Sequence, residues 1–142
     1  VWQQVDALLG GDDTNQVRFI LFGLSPGHLM VLKLHDFGAV RQMIPYFHGE
    51  LYSKLNVAVL DHVILEEILG LSISEETSLA FSYDKQEAVG KVSDQEYQLA
   101  FLLSPVKVEE IKAVADAGER MPRKSTYFYP KPPAGLVFRR LE

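Results

Sequence analysis

With 142 residues, 47% of them hydrophobic and 23% charged, the chain has the size and composition of one globular domain with a buried core, which excludes disordered and fibrous classes. No run reaches the ~18 consecutive apolar residues that a membrane-spanning helix needs. The absence of cysteine removes disulfides, thiolate zinc sites and cysteine nucleophiles, and makes the cytoplasm the default expectation.

Trp2, Val5, Leu8 and Leu9 recur at helical spacing and stop at Gly10-Gly11. A polar hinge follows, so residues 1–15 are expected to be the tail of an upstream helix and a linker, with 16–142 a single α/β domain forming the C-terminal portion of a longer protein. Residues 16–22 and 28–34 are apolar and partly β-branched, separated by Gly23-Leu24-Ser25-Pro26-Gly27, which predicts an antiparallel hairpin. Residues 36–44 predict a short helix stopped by Pro45, whereas 46–55 show no clear pattern. Asn56 is expected to cap a stronger helix in which Val57, Leu60, Ile64 and Ile68 repeat, ending at Gly70.

Beyond residue 76 short strand and helix patterns alternate. Residues 79–83 read as a strand, and Asp84 with Glu87 as a capping box opening a helix through Val92. Residues 98–103 are the most strand-like run of the chain; Ser104 as N-cap and Pro105 at the first helical position predict a further helix ending at Gly118. Residues 126–129 and 135–141 read as closing strands. Strand, helix, strand, helix, strand over 79–129 implies parallel pairing through right-handed crossovers. The predicted fold is thus α/β or α+β, a single mixed sheet with an N-terminal antiparallel hairpin and a C-terminal βαβαβ unit, helices packed on the sheet.

The formal charge of -5 is unevenly distributed. Six of the fourteen Lys and Arg residues (Arg120, Arg123, Lys124, Lys131, Arg139, Arg140) follow residue 118, against two acids, Glu119 and Glu142. An acidic chain with one basic end is a poor match for a broad phosphate footprint, so nucleic acid is disfavoured as a partner while a local anion site is not. Residues 121–131 concentrate cations, hydroxyls and tyrosines: Arg123, Lys124, Ser125, Thr126, Tyr127, Tyr129 and Lys131. Guanidinium and ammonium groups match phosphate or carboxylate, hydroxyls add neutral donors, and tyrosines stack on rings. With Ser104 at the start of the preceding helix, these residues are the candidate ligand-binding set. The competing reading is packing, with Tyr127 and Tyr129 on one sheet face and Phe128 on the other.

Gly118, four residues, Arg123, Lys124 and Ser125 imitate a phosphate loop, but Arg123 replaces the second glycine and a helix rather than a strand precedes it. His28, His35, His48 and His62 form no local pair, and His62 with Glu66 reads as a polar boundary rather than a metal site. Asp61, Glu66 and Glu67 read as a solvated helix face. No catalytic residue and no cofactor is indicated.

The run Ala100-Phe101-Leu102-Leu103-Ser104-Pro105, the helix to Ala117-Gly118-Glu119, then Met121-Pro122-Arg123-Lys124-Ser125-Thr126-Tyr127-Phe128-Tyr129-Pro130-Lys131 and Gly135-Leu136 resemble the C-terminal part of an uncharacterised prokaryotic family, domain of unknown function 1015. Leu60 and the apolar helix to Leu69-Gly70-Leu71 resemble its preceding segment. The resemblance implies a much longer protein whose upstream His-His-Arg motif is similar to ParB-like proteins, among them a free-serine kinase. That motif is not in this sequence, so no catalytic role passes to any residue here. The dense basic and hydroxyl segment points to an accessory domain that binds an anionic or phosphorylated small molecule, and the resemblance, which carries no established activity, suggests a ParB/serine-kinase-like phosphotransferase as the whole. The alternative is a structural or oligomerisation module that packs on the upstream part of the same protein or on a second copy.

Overall fold

The structure, a computed structural model, describes residues 2–10, 16–74 and 78–128. Its elements are α1 (Trp2–Leu9), β1 (Arg18–Phe22), β2 (Leu29–Lys33), α2 (Phe37–Arg41), α3 (Glu50–Ser53), α4 (Asn56–Val59) running on into a π-helix (Leu60–Ile68), α5 (Lys85–Ser93), β3 (Ala100–Leu103) and α6 (Val108–Asp116). The strands form one antiparallel sheet in the order β2-β1-β3, and the domain is α+β.

Because successive side chains on a strand point to opposite faces, the register sorts the sheet into two layers. Phe19 lies between Leu32 and Leu103, and Leu21 between Met30 and Phe101. With Val17 and Leu34, residues Phe19, Leu32, Phe101 and Leu103 face α3, α4, the π-helix and α6, where Tyr52, Leu55, Ala58, Val59, Val63, Leu65 and Val114 complete the larger core. Ile20 lies between Val31 and Leu102 on the other face, where Val5 and Leu9 of α1 and Ala88 and Val89 of α5 cover it. Burial on both faces explains why β1 reads Arg-Phe-Ile-Leu-Phe, almost without polar alternation. Helix α1, expected as the tail of an upstream element, thus packs Val5 and Leu9 into the second core.

Downstream of α5 the architecture departs from the sequence reading. β3 runs antiparallel to β1 rather than parallel to a neighbouring strand. Residues 79–83 form no strand: the Ser82 hydroxyl accepts from the Asp84 amide (3.0 Å) and donates to Glu87 (2.5 Å), which commits the segment to the entry of α5. The Asp84 carboxylate accepts from the Gln86 and Glu87 amides, so the cap itself is as the sequence implies. Residues 126–128 are irregular as well, since Pro122 and a left-handed Lys124 (φ 55°) turn the chain away beforehand. The βαβαβ unit is therefore not present among the described residues; the strand read at 135–141 lies outside them.

Two caps also differ. Leu55, in extended conformation, is the residue before α4, and Asn56 is its first helical residue, because α3 ends only at Ser53. Ser104 does not cap α6: its hydroxyl donates to the Leu9 carbonyl at 2.6 Å, and α6 starts at Val108 after an extended Lys107, whose amide is held by Glu110 at 2.8 Å. No helix of the described residues is long and apolar enough to cross a membrane.

Candidate functional site

The site begins where α6 ends. The Gly49 amide donates to Glu119 at 3.0 Å, which ties the chain leaving α6 to the start of α3. A Cβ at Gly49 would overlap the Glu119 carboxylate, so only glycine permits this approach. From that anchor Pro122 is buried, and the Ser125 hydroxyl donates back to the Pro122 carbonyl at 2.6 Å. Between them Arg123 and Lys124 occupy an exposed tip. Lys124 holds a left-handed conformation that costs a residue with a Cβ on the order of 1 kcal/mol, a strain that surrounding contacts have to maintain.

Beside this tip lies a cluster of titratable groups under the π-helix. Asp61 is 8% exposed and His62 6%. Along the π-helix and its exit, amides reach further back than in an α-helix: Leu69 donates to Ile64 at 2.9 Å and Gly70 (φ 64°) terminates the element. His62 Nδ1 lies 2.7 Å from the Glu66 carboxylate and Nε2 3.4 Å from the Tyr52 hydroxyl. With a neutral ring, the phenol O–H donates to Nε2 and Nδ1–H donates to Glu66. The His48 ring stacks flat on Tyr52, centroids 3.6 Å apart, and lies 5.8 Å from the His62 ring. Arg41 holds the loop by donating to the carbonyls of Ile44 (3.3 Å) and His48 (2.9 Å).

The electrostatics follow from burial. Burial raises the Asp61 carboxyl to about 6; His62 opposes the rise, Glu66 adds to it, and the Arg123 guanidinium draws it back. Tyr52 is pushed up to about 12 by burial and by the charges of Asp61, Glu66 and Glu119. His48 is lowered by burial, then by His62 and Arg41, against Glu119. An open depression of about 450 Å³, lined by residues 41–46, abuts the loop that Arg41 holds.

Of the residues named from sequence, Arg123, Lys124, Ser125 and Thr126 are brought together at the tip, with Ser125 tied into the turn and Thr126 half-buried. Tyr127 stacks on Tyr83, centroids 4.8 Å apart. Ser104 bonds to α1 on the opposite sheet face and does not converge with them. Tyr129 and Lys131 lie outside the described residues. Asp61, read as part of a solvated face, is buried, and so is His62, whereas Glu67 is exposed as expected. Sequence reasoning missed His48, Tyr52 and Glu119. A signal existed in Leu60-Asp61-His62-Val63, where two polar residues interrupt an apolar helix between positions that all end up buried. Among the described residues, no group of three His, Asp or Glu side chains is arranged to hold a metal ion.

Comparisons with family models, curated proteins and solved structures give no match to this chain.

Proposed function

We propose that this chain is an accessory ligand-binding module of a larger cytoplasmic protein, the C-terminal part of a domain of unknown function 1015 protein, and that it holds an anionic or phosphorylated small molecule at Arg123 and Lys124. The observation that carries the reading is the tip: two adjacent exposed cations held outward by a buried proline, a side-chain-closed turn and a strained non-glycine residue. The Thr126 hydroxyl is the neutral group nearest in sequence that is not tied into the turn, and Tyr129 and Lys131 are the further contacts that the sequence pattern suggests. In that family an upstream motif is similar to ParB-like proteins, among them a free-serine kinase, so under this reading the whole protein would be a phosphotransferase with its chemistry upstream. Thermal-shift screening of nucleotides, phosphoamino acids and polyphosphate on the full-length protein tests it. A ligand should raise the midpoint, and Lys124→Ala and Lys131→Ala should each diminish the rise; unchanged midpoints throughout would remove the proposal.

A second reading, a module that packs on the upstream part or on a second copy, is favoured by one feature. Phe81, Tyr83, Tyr127 and Phe128 are all exposed, and two of them stack on each other. Light scattering distinguishes the readings: a dimer that Tyr129→Ala or Tyr127→Ala dissociates favours packing, and a monodisperse monomer opposes packing on a second copy.

A further inference from the structure

The sheet has two outer edges, and they are not alike. The Leu34 amide donates to the Val17 carbonyl at 3.0 Å, so along the antiparallel ladder Phe19 with Leu32 and Leu21 with Met30 are the hydrogen-bonded pairs as well. Leu29, Val31 and Lys33 therefore turn their N–H and C=O groups away from β1, and among the described residues none of these groups has a hydrogen-bond partner. At the other edge, β3 is a four-residue strand, buried or half-buried throughout, and Pro105 beyond it has no N–H to offer. β2 has five residues, and Met30 and Val31 are each 38% exposed. It carries none of the usual guards of an open edge: no proline, no bulge in its register and no charge before Lys33 at its end.

We propose that the outer edge of β2 pairs antiparallel with β2 of a second copy of this chain, about a two-fold axis at Val31, and so joins the two three-stranded sheets into one continuous sheet. The occupant follows from the edge itself, which is complementary to its own sequence in that register. Val31 meets Val31 of the second copy and Leu29 meets its Lys33 as hydrogen-bonded pairs, which gives every outward N–H and C=O of residues 29–33 a partner. On the opposite face Met30 meets Leu32 of the second copy, so the exposed side chains at 30 and 31 are both covered by apolar ones. The two Lys33 residues stay four positions apart, about 13 Å along the strands, and each stem lies on a leucine. A register centred on Lys33 would instead set the two ammonium groups opposite each other. The inference takes its partner, another copy, from the second reading above, but places it on the sheet edge rather than at the exposed aromatic residues; anion binding at the basic tip is independent of it.

Sedimentation equilibrium and amide hydrogen exchange on the whole 142-residue chain test the pairing. The chain should form a weak dimer, with a dissociation constant on the order of 10 to 100 μM, since one pair of strands makes a small interface. Exchange at the Leu29, Val31 and Lys33 amides should slow at least about 3-fold between about 50 μM and about 1 mM, while the Met30 and Leu32 amides, bonded to β1, stay protected at both. In a mixture of isotope-labelled and unlabelled chains, the Met30 α-proton should show a contact to that of Leu32 in the second copy. Val31→Lys sets like charges opposite each other at the axis and should weaken the dimer at least about 10-fold, whereas Val31→Thr, β-branched and uncharged, should keep it. Should Val31→Lys fail to fold, the concentration dependence of exchange in the wild type decides alone. A monomer at the highest concentration overturns the pairing, and so do edge amides protected in a monomer, which would be covered from within the chain. A dimer whose edge amides exchange freely and which Tyr127→Ala dissociates also overturns it, while leaving the second reading intact.

Discussion

The two faces of the sheet are built from the same three strands but differ in kind. On the α1 and α5 face, Val5, Leu9, Ile20 and Leu102 make a small, wholly apolar cluster, and its polar groups, the pair Lys85 with Asp6 and the Ser104 bond to Leu9, lie at its margin. On the π-helix face the core is larger and contains Ser53, Asp61 and His62, the buried polar residues of the described chain. Buried polar groups are tolerated where each finds a partner, and no buried side-chain nitrogen or oxygen among the described residues lacks one. One face thus holds the fold by packing alone, while the other retains groups whose charge can change.

If that contrast is right, the dry face should break hardest and without regard to pH. Ile20→Ala should lower unfolding stability by about 3 kcal/mol, equally near pH 5 and pH 8, through the cavity it leaves. A loss in urea denaturation that varied with pH would blur the distinction between the faces. Gly49→Ala on the other face should cost about 1 to 2 kcal/mol by displacing Glu119 and leaving the Gly49 amide without its acceptor. Glu119→Ala should cost a similar amount, and the double variant scarcely more than either; simple additivity in the cycle would show that the two residues do not act as one contact.

The next effect is smaller and appears only as a slope. A carboxyl whose folded value is raised to about 6, against an ordinary 3.8, gives the native state extra protons between those values. Its stabilising contribution is complete below about 4 and is lost as pH rises through about 6, an effect of about 1 to 2 kcal/mol once solvent screening is allowed for. His48, lowered in the fold, pulls the other way: its contribution is present above 6.5 and lost as pH falls through its folded value. Stability profiles of wild type and Asp61→Asn should therefore diverge between about pH 4 and 6, and superimposable profiles would deny the burial of that charge any energetic weight. The smallest change is expected at the exposed aromatic pair, where Tyr127→Ala should cost about 0.5 kcal/mol in the same assay; a loss several times larger would mean that the ring is covered in solution.

Legibility in the sequence followed the locality of the physics. The apolar runs of β1 and β2 and the Asp84 cap are written in adjacent residues, and those signals were readable. Partner choice in the sheet was not: β3 has the composition of a buried strand, but whether it joins β1 antiparallel or another strand in parallel depends on contacts about eighty residues apart. At the site, the basic tip was visible from composition, whereas the burial of Asp61 and His62 was not, because residues 58–63 are buried without a break and a periodic apolar stripe reports only one face of a helix that is covered all round. His48 and Tyr52 lay in the stretch without periodicity, where a four-residue helix leaves no pattern to detect.

The central position of β1 has a consequence for synthesis. Its first partner, β2, emerges seven residues after β1 ends, but the other edge of β1 waits for β3 and the residues up to Leu103. At ribosomal speeds of about 5 to 20 residues per second, that leaves Phe19, Ile20 and Leu21 bordering an unfilled edge for on the order of ten seconds. A nascent chain is therefore most vulnerable to sticking to its neighbours in that interval, and slowing translation ahead of residue 100 should lengthen it, with soluble yield falling in step.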